Sequence, residues 1–225
     1  MVEYNWEYMK DIESELKRIL SNSDSGHGFD HSQRVWKIAK KIDEGEKIAV
    51  DMEVVYAACL LHDVGYIKLT SENRIDFENH PQASVEIAKE ILPKIGFPEH
   101  KAKLTFDAIL LHDDMKPWGS YKPTKEKETW YVQDADNIEA IGAVGITRIL
   151  DFCSRVNMPL FLPELKWDDP EARYKSAMHD VYAHVDMYGR LHTETSKKLA
   201  KPGIEYMKNF IEQFVKEYNT ANTIL

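Results

Sequence analysis

The sequence predicts an all-α fold. Apolar residues recur at three- and four-residue spacing in one segment after another, and no strand-type alternation persists anywhere. Turn formers and prolines separate these segments. The chain has 225 residues, enough for one large or two small domains, and 43% hydrophobic residues allow a packed core.

The first helix is predicted from Met9, Ile12, Leu16 and Ile19, which share one face. Ser21 to Gly26 ends it with turn formers. A second helix follows His27-Gly28-Phe29-Asp30-His31, with Val35, Ile38 and Ile42 as its stripe and Asp30 as its N-cap. His31 falls on the inward face near the helix start, as a core or capping histidine or as a ligand. Arg34 is one turn away and can point at the same region.

A third helix is predicted from Asp51 to His62, with Val55, Ala58 and His62 on one face. Ala57, Ala58 and Cys59 are small and admit a close neighbour, and Gly65 fits a C-terminal break. Lys68 to Asn79 reads as a loop near the mouth of any pocket. His80-Pro81 opens a fourth helix, Pro81 suiting its first turn. A fifth runs from about Glu99 to His112. It leads into an aromatic and proline-bearing loop, Met115-Lys116-Pro117-Trp118-Gly119.

Asp134 and Asp136 read as acids at the start of a further helix, where the dipole alone favours them. Asp136, Ala140, Ala143 and Thr147 would share its face, with Arg148 further along. The stretch from Asp151 to Pro170 is rich in proline and aromatics and reads as a lid or a surface wrap. Ala172 to Arg190 is predicted helical. Its His179 and His184 lie about 140° apart round a helix and make poor partners for one ion. The last helix, Thr193 to Asn219, carries Ile204, Met207, Ile211, Phe214, Val215 and Tyr218 on one side, for core or dimer contact.

Composition narrows the function. A net charge of -9 argues against a protein that coats a nucleic-acid polymer, yet leaves a nucleotide open, since a metal ion can supply local positive charge. Two cysteines, Cys59 and Cys153, make no disulfide framework, which fits a reducing cytoplasm. The N-terminal residues have no basic-then-apolar pattern, so no signal peptide is expected. No apolar run approaches the roughly 20 residues needed to cross a bilayer, so no membrane partner is expected.

The stretch that carries chemistry is Tyr56-Ala57-Ala58-Cys59-Leu60-Leu61-His62-Asp63-Val64-Gly65. An apolar run ends in an imidazole and a carboxylate. Burying such a pair is costly without compensation, and a cation compensates both groups. His62 and Asp63 are therefore the centre of a predicted metal site. Leu110-Leu111-His112-Asp113 repeats the phrase. The first copy, flanked by small residues and a glycine, is taken as the primary site and the second as a contributor.

In order, the candidates are His31, His62-Asp63, His80, His112 and Asp136. The pattern resembles the HD-domain superfamily of metal-dependent phosphohydrolases, which carries a histidine, a later His-Asp doublet and a final aspartate on a helical bundle. His27 to Val35 looks like the family's opening segment. Gln133 to Gly142 looks like a segment of its small stand-alone bacterial and archaeal members, except that Asn137 and Ile138 stand where arginine and leucine are usual. The resemblance covers residues 27 to 150 well. It implies one domain over 1–225, a metal-site core at about 27–150, and C-terminal helices at 171–219 packed on it.

The resemblance assigns His31, His62, Asp63 and Asp136 as metal ligands, selecting Asp136 over Asp134. Asp134 is then a supporting or capping acid, and His27 a supporting histidine. Some branches add two histidines and hold two metals, an order that His80 and His112 fit. The implied reaction is hydrolysis of a phosphate ester or anhydride, of a nucleotide. Asp63 is the catalytic candidate, and Arg34, Lys68 and Arg148 are candidates for holding phosphate. Mn, Mg, Ni, Co and Fe ions all suit mixed nitrogen and oxygen ligation. A di-iron oxygenase and a non-catalytic nucleotide-binding module are the alternatives. Either a monomer or a homodimer is compatible with the sequence.

Overall fold

The computed structural model describes residues 6–21, 27–68, 79–113, 124–169 and 171–224. The predicted turn at 22–26, most of the loop from Lys68 to Asn79, and the aromatic loop at 115–119 lie outside them. Among the described residues the secondary structure is nine α-helices and three short 3₁₀ segments, with no strand. The all-α prediction holds.

Helix α1 (Met9–Ile19) buries Ile12 and Leu16. Helix α2 (Phe29–Gly45) buries His31, Val35, Ala39 and Ile42. Its N-cap is Gly28, not Asp30, which lies inside the first turn and pairs with Arg34 at 2.6 Å. Helix α3 (Met52–Leu61) begins at Asp51, whose side chain accepts a hydrogen bond from the Glu53 amide. Every residue of α3 except Glu53 is buried. It is the central rod, packed against α1, α2 and the later helices Glu99–Leu111 and Lys127–Glu139. A rod that is apolar all round must lie inside the bundle, and it carries the His-Asp pair in with it.

The chain leaves α3 through His62 and Asp63 into a 3₁₀ turn, Val64–Lys68. Gly65 serves a different end from the predicted helix stop. A Cβ there would lie 2.4 Å from the His80 carbonyl oxygen and 2.6 Å from the Ser84 amide. Only glycine lets this turn press against helix α4 (His80–Ile91), and the Gly65 N–H donates to Ser84 Oγ at 2.8 Å. Helix α5 (Glu99–Leu111) then returns beside α3 and α4.

The predicted helix around Asp134 and Asp136 differs most. Helix α6 runs Lys127–Glu139, so both acids sit in its second half, where the dipole does not favour them. The chain breaks at Ala140–Ile141, and α7 (Gly142–Arg155) follows. Gly142 takes φ 79°, a left-handed conformation suited to glycine. Asp136 and Thr147 thus lie on different helices. Likewise, Ala172 to Arg190 is not one helix. It divides into a 3₁₀ turn, helix α8 (Ala177–Val185) and a second 3₁₀ turn. Helix α9 (Glu194–Ile224) closes the chain.

Among the described residues two hydrophobic clusters form. One gathers α1 to α6 around Tyr56, Leu60 and Leu61; the other gathers α7, α8 and α9 around Met178, Val181 and Met207. Ile138, at the end of α6, packs against both.

Candidate metal centre

The C-terminal ends of α3, α5 and α6 and the start of α2 and α4 meet at one place. His62 and His112 are the C-cap residues of α3 and α5. Each ring is locked by its own helix: His62 Nδ1 bonds to the Cys59 carbonyl at 2.9 Å, and His112 Nδ1 to the Ile109 carbonyl at 2.6 Å. A carbonyl only accepts, so a proton sits on Nδ1 and, in the neutral ring, each Nε2 presents a lone pair to the interior.

Those lone pairs converge. His31 Nε2 is 3.1 Å from His62 Nε2, and His80 Nε2 is 3.0 Å from His112 Nε2. Asp63 stands between the pairs. Its Oδ2 lies 3.2 Å from His31 Nε2 and 3.3 Å from His62 Nε2, while its Oδ1 lies 3.3 Å from His80 Nε2 and 3.4 Å from His112 Nε2. Asp136 Oδ1 approaches His31 at 3.5 Å and His62 at 3.7 Å. Two imidazole lone pairs at such a distance repel unless a proton or cation lies between them. Donors about 2.1 Å from one ion are separated by about 3.0 Å in octahedral and about 3.4 Å in tetrahedral order. The observed separations fit, and groups such as His31, His62 and Asp136 could hold a metal ion.

The electrostatics agree. Burial alone would lower the pKa of His62, but Asp63 and Asp136 outweigh it and hold the imidazole well above its ordinary value. Burial would raise Asp63, but His62 and His27 hold it well below the usual carboxylate range. Asp136 is held low in the same way by His62 and His31. The carboxylates and His62 thus compensate one another, and a cation could take the place of the proton they share.

Around this centre His27 Nδ1 bonds Asp63 Oδ2 at 2.6 Å. Burial, only partly offset by Asp63, lowers the His27 pKa to about 4, so the ring is neutral at physiological pH. Glu139 Oε2 lies 3.1 Å from His31 Nδ1, close in distance but not aligned as a hydrogen bond. Arg34 and Arg148 both pair with Glu139, and Arg148 Nη2 also lies 3.3 Å from His27 Nδ1. Most of the cluster is sealed. Asp136 and His27 keep 24% and 21% of their side chains exposed and Arg148 keeps 15%, so the opening lies on their side.

The predicted residues divide accordingly. His31, His62, Asp63, Asp136, His80, His112 and His27 meet in one cluster. Arg148 stands at its mouth, and Arg34 lies behind it on Glu139. Lys68 forms an exposed pair with Glu86 at 3.1 Å. Asp134 faces away from the cluster. It accepts bonds from the amides of His192 at 2.8 Å and Thr193 at 3.0 Å, and so anchors the segment that leads into α9, whose first turn is capped by the Thr193 hydroxyl accepting from the Ser196 amide at 3.1 Å. Glu139 and Tyr66 are further members that the sequence reading missed. Glu139 had one signal, its place three residues after Asp136 on one helix face. Tyr66 had none beyond its place three residues after Asp63.

Comparison with known proteins gives the class. The model of the HD domain matches residues 28–141, about half of the chain, and the chain belongs to that family. A solved structure from Lactobacillus plantarum superposes over 97% of this chain and 100% of its own, with a TM-score of 0.76 and 25% identity. An HD-superfamily hydrolase from Bacillus thuringiensis covers 95% of this chain and 97% of its own, with a TM-score of 0.68 and 25% identity. YpgQ of Bacillus subtilis, an uncharacterized protein, is 29% identical over 206 residues, 92% of this chain and 91% of its own. Its structure in complex with ADP has a TM-score of 0.65, covering 93% of this chain and 97% of YpgQ. The fold is that of an HD-superfamily hydrolase.

Proposed function

We propose that this chain is a metal-dependent phosphohydrolase acting on a phosphate ester or anhydride of a nucleotide. The observation that carries the reading is the division of the Asp63 carboxylate between two imidazole pairs. His31, His62, Asp63 Oδ2 and Asp136 would hold one divalent ion. His80, His112 and Asp63 Oδ1 offer a place for a second. A bound divalent ion supplies an acidified water and neutralises charge on the phosphoryl group.

The chain's own residues do the rest. Asp63 is the proton acceptor for the attacking water, and its bond to His27 at 2.6 Å holds it in register. Arg148, at the open side, orients the phosphate. Glu139 fixes Arg148 and Arg34 and lies beside the far nitrogen of His31. The burial of His31, His62, Asp63, His80 and His112 keeps bulk water from these groups. The complex of YpgQ with ADP supports a nucleotide as the ligand. The net charge of -9 supports a small anion drawn to a local cation over a nucleic-acid polymer.

The test is release of phosphate or pyrophosphate from nucleoside mono-, di- and triphosphates with Mn²⁺, Mg²⁺, Ni²⁺, Co²⁺ or Fe²⁺. Turnover abolished by chelator and reduced at least about 100-fold in Asp63→Ala is expected. Absence of release from every nucleotide with every ion contradicts the reading. The His80–His112 pair favours a second reading, a di-iron oxygenase, which iron analysis and oxygen consumption distinguish. Metal-dependent nucleotide binding without turnover would indicate a sensor.

A further inference from the structure

Two of the histidines on Asp63 lie at helix starts. His27 precedes the N-cap of α2, and His80 is the first residue of α4. Their rings are aimed at opposite oxygens of one carboxylate, His27 at Oδ2 and His80 at Oδ1. Between them lies the Tyr66 ring. Its centroid is 4.0 Å from that of His27 with the planes 24° apart, and 4.4 Å from that of His80 with the planes 18° apart. The three rings form one near-parallel stack alongside the carboxylate.

We propose that Tyr66 is the positioning residue that holds His27 and His80 on opposite oxygens of Asp63. Its backbone belongs to the same turn as the carboxylate, since the Tyr66 amide bonds to the Asp63 carbonyl at 3.0 Å. The turn is pinned to the start of α4 by the Gly65–Ser84 bond. The spacer therefore moves with Asp63, and the histidines stack against it from either side. A flat ring of this thickness sets both imidazole planes, which an aliphatic chain cannot do. Ligands whose rings are locked by packing hold an ion at fixed geometry, and loss of such support costs about 10–100-fold in affinity. The inference rests on the reading of Asp63 as a shared ligand.

The test compares the full chain with Tyr66→Phe, Tyr66→Leu and Tyr66→Ala. Mn²⁺ binding is measured by calorimetry, and the metal-free crystal structures are solved. Phe keeps the stack, so affinity within about 2-fold of the parent is expected. Leu keeps most of the volume without the ring, and it and Ala are expected to bind about 10–100-fold more weakly. In their metal-free structures the His27 and His80 rings leave their places on Asp63. Leu carries the test should Ala fail to fold. Equal affinity in Leu and the parent overturns the proposal, as does Phe binding as weakly as Leu, which would assign the effect to the hydroxyl. Should the parent bind no Mn²⁺, the shared-ligand reading fails by itself. The metal-free ring positions then decide: displaced in Leu and kept in Phe supports the spacer, unmoved in both overturns it.

Discussion

Arg34 Nε donates to Glu139 Oε1 at 2.7 Å, joining residues 105 apart in the chain. Glu139 is 2% exposed in its side chain and also pairs with Arg148. A buried carboxylate between two guanidinium groups is costly to remove, because the cations lose their counter-charge. Glu139→Ala should destabilise the fold by about 3–5 kcal/mol, read by urea denaturation. Arg34 is 36% exposed, and Arg34→Ala should cost about 1 kcal/mol or less. Equal losses in the two variants would contradict this placement of Glu139.

Asp134 and Asp136 lie two residues apart and do different things. Asp134 anchors the entry to α9 through the His192 and Thr193 amides and the Thr193 hydroxyl. Asp134→Ala should lower stability by about 1–3 kcal/mol and leave the number of bound ions unchanged. Asp136→Ala should do the reverse, with metal affinity falling and the thermal midpoint of the metal-free chain little changed. Calorimetry of both variants checks the pair.

Metal binding should release protons. In the metal-free fold Asp63 and Asp136 raise the His62 pKa above 6.5, so near neutral pH a proton occupies the place of an ion. Affinity should therefore rise with pH until His62 loses that proton, with about one proton released per ion bound near pH 7. The stability of the metal-free fold has the opposite sign. A pKa raised above its unfolded value stabilises below that value, and the contribution is lost as pH rises through the folded one. Titration calorimetry in two buffers of different ionisation enthalpy reads the proton count, and identical heats in both would contradict it.

Gly65→Ala should disturb the His-Asp turn. The added Cβ meets backbone atoms of His80 and Ser84 at 2.4 and 2.6 Å, which no side-chain rotation relieves. A loss of about 1–3 kcal/mol is expected in denaturant unfolding. Unchanged stability would mean that α4 can move away from the turn.

Much of this was legible in the chain. The stripes of α1 to α5 and the run into His62-Asp63 located the helices and the heart of the site, because a buried face repeats at a fixed spacing. The break between α6 and α7 was not legible. It turns on Gly142 at positive φ, and a glycine among alanines reads equally as a close-packing helical residue. Hence the sequence pattern places Asp134 and Asp136 at a helix start, and Arg148 on the same helix as Asp136. The meeting of His80 with His112 is legible only through the family resemblance, since it depends on how α4 folds back along α5. Glu139 belongs to no ligand pattern. Its role follows from Arg34 and Arg148 arriving from two other helices.

The central claim is that His62 and Asp63 hold a metal ion. It is tested most directly by elemental analysis of the chain purified without added metal and after loading with Mn²⁺ or Ni²⁺, alongside His62→Ala and Asp63→Ala. At least one divalent ion per chain, lost from both variants while they remain folded, is the predicted result. A parent chain that takes up no ion after loading, or variants that retain it in full, would contradict the claim. His62 and Asp63 would then be a buried polar pair that serves the fold alone.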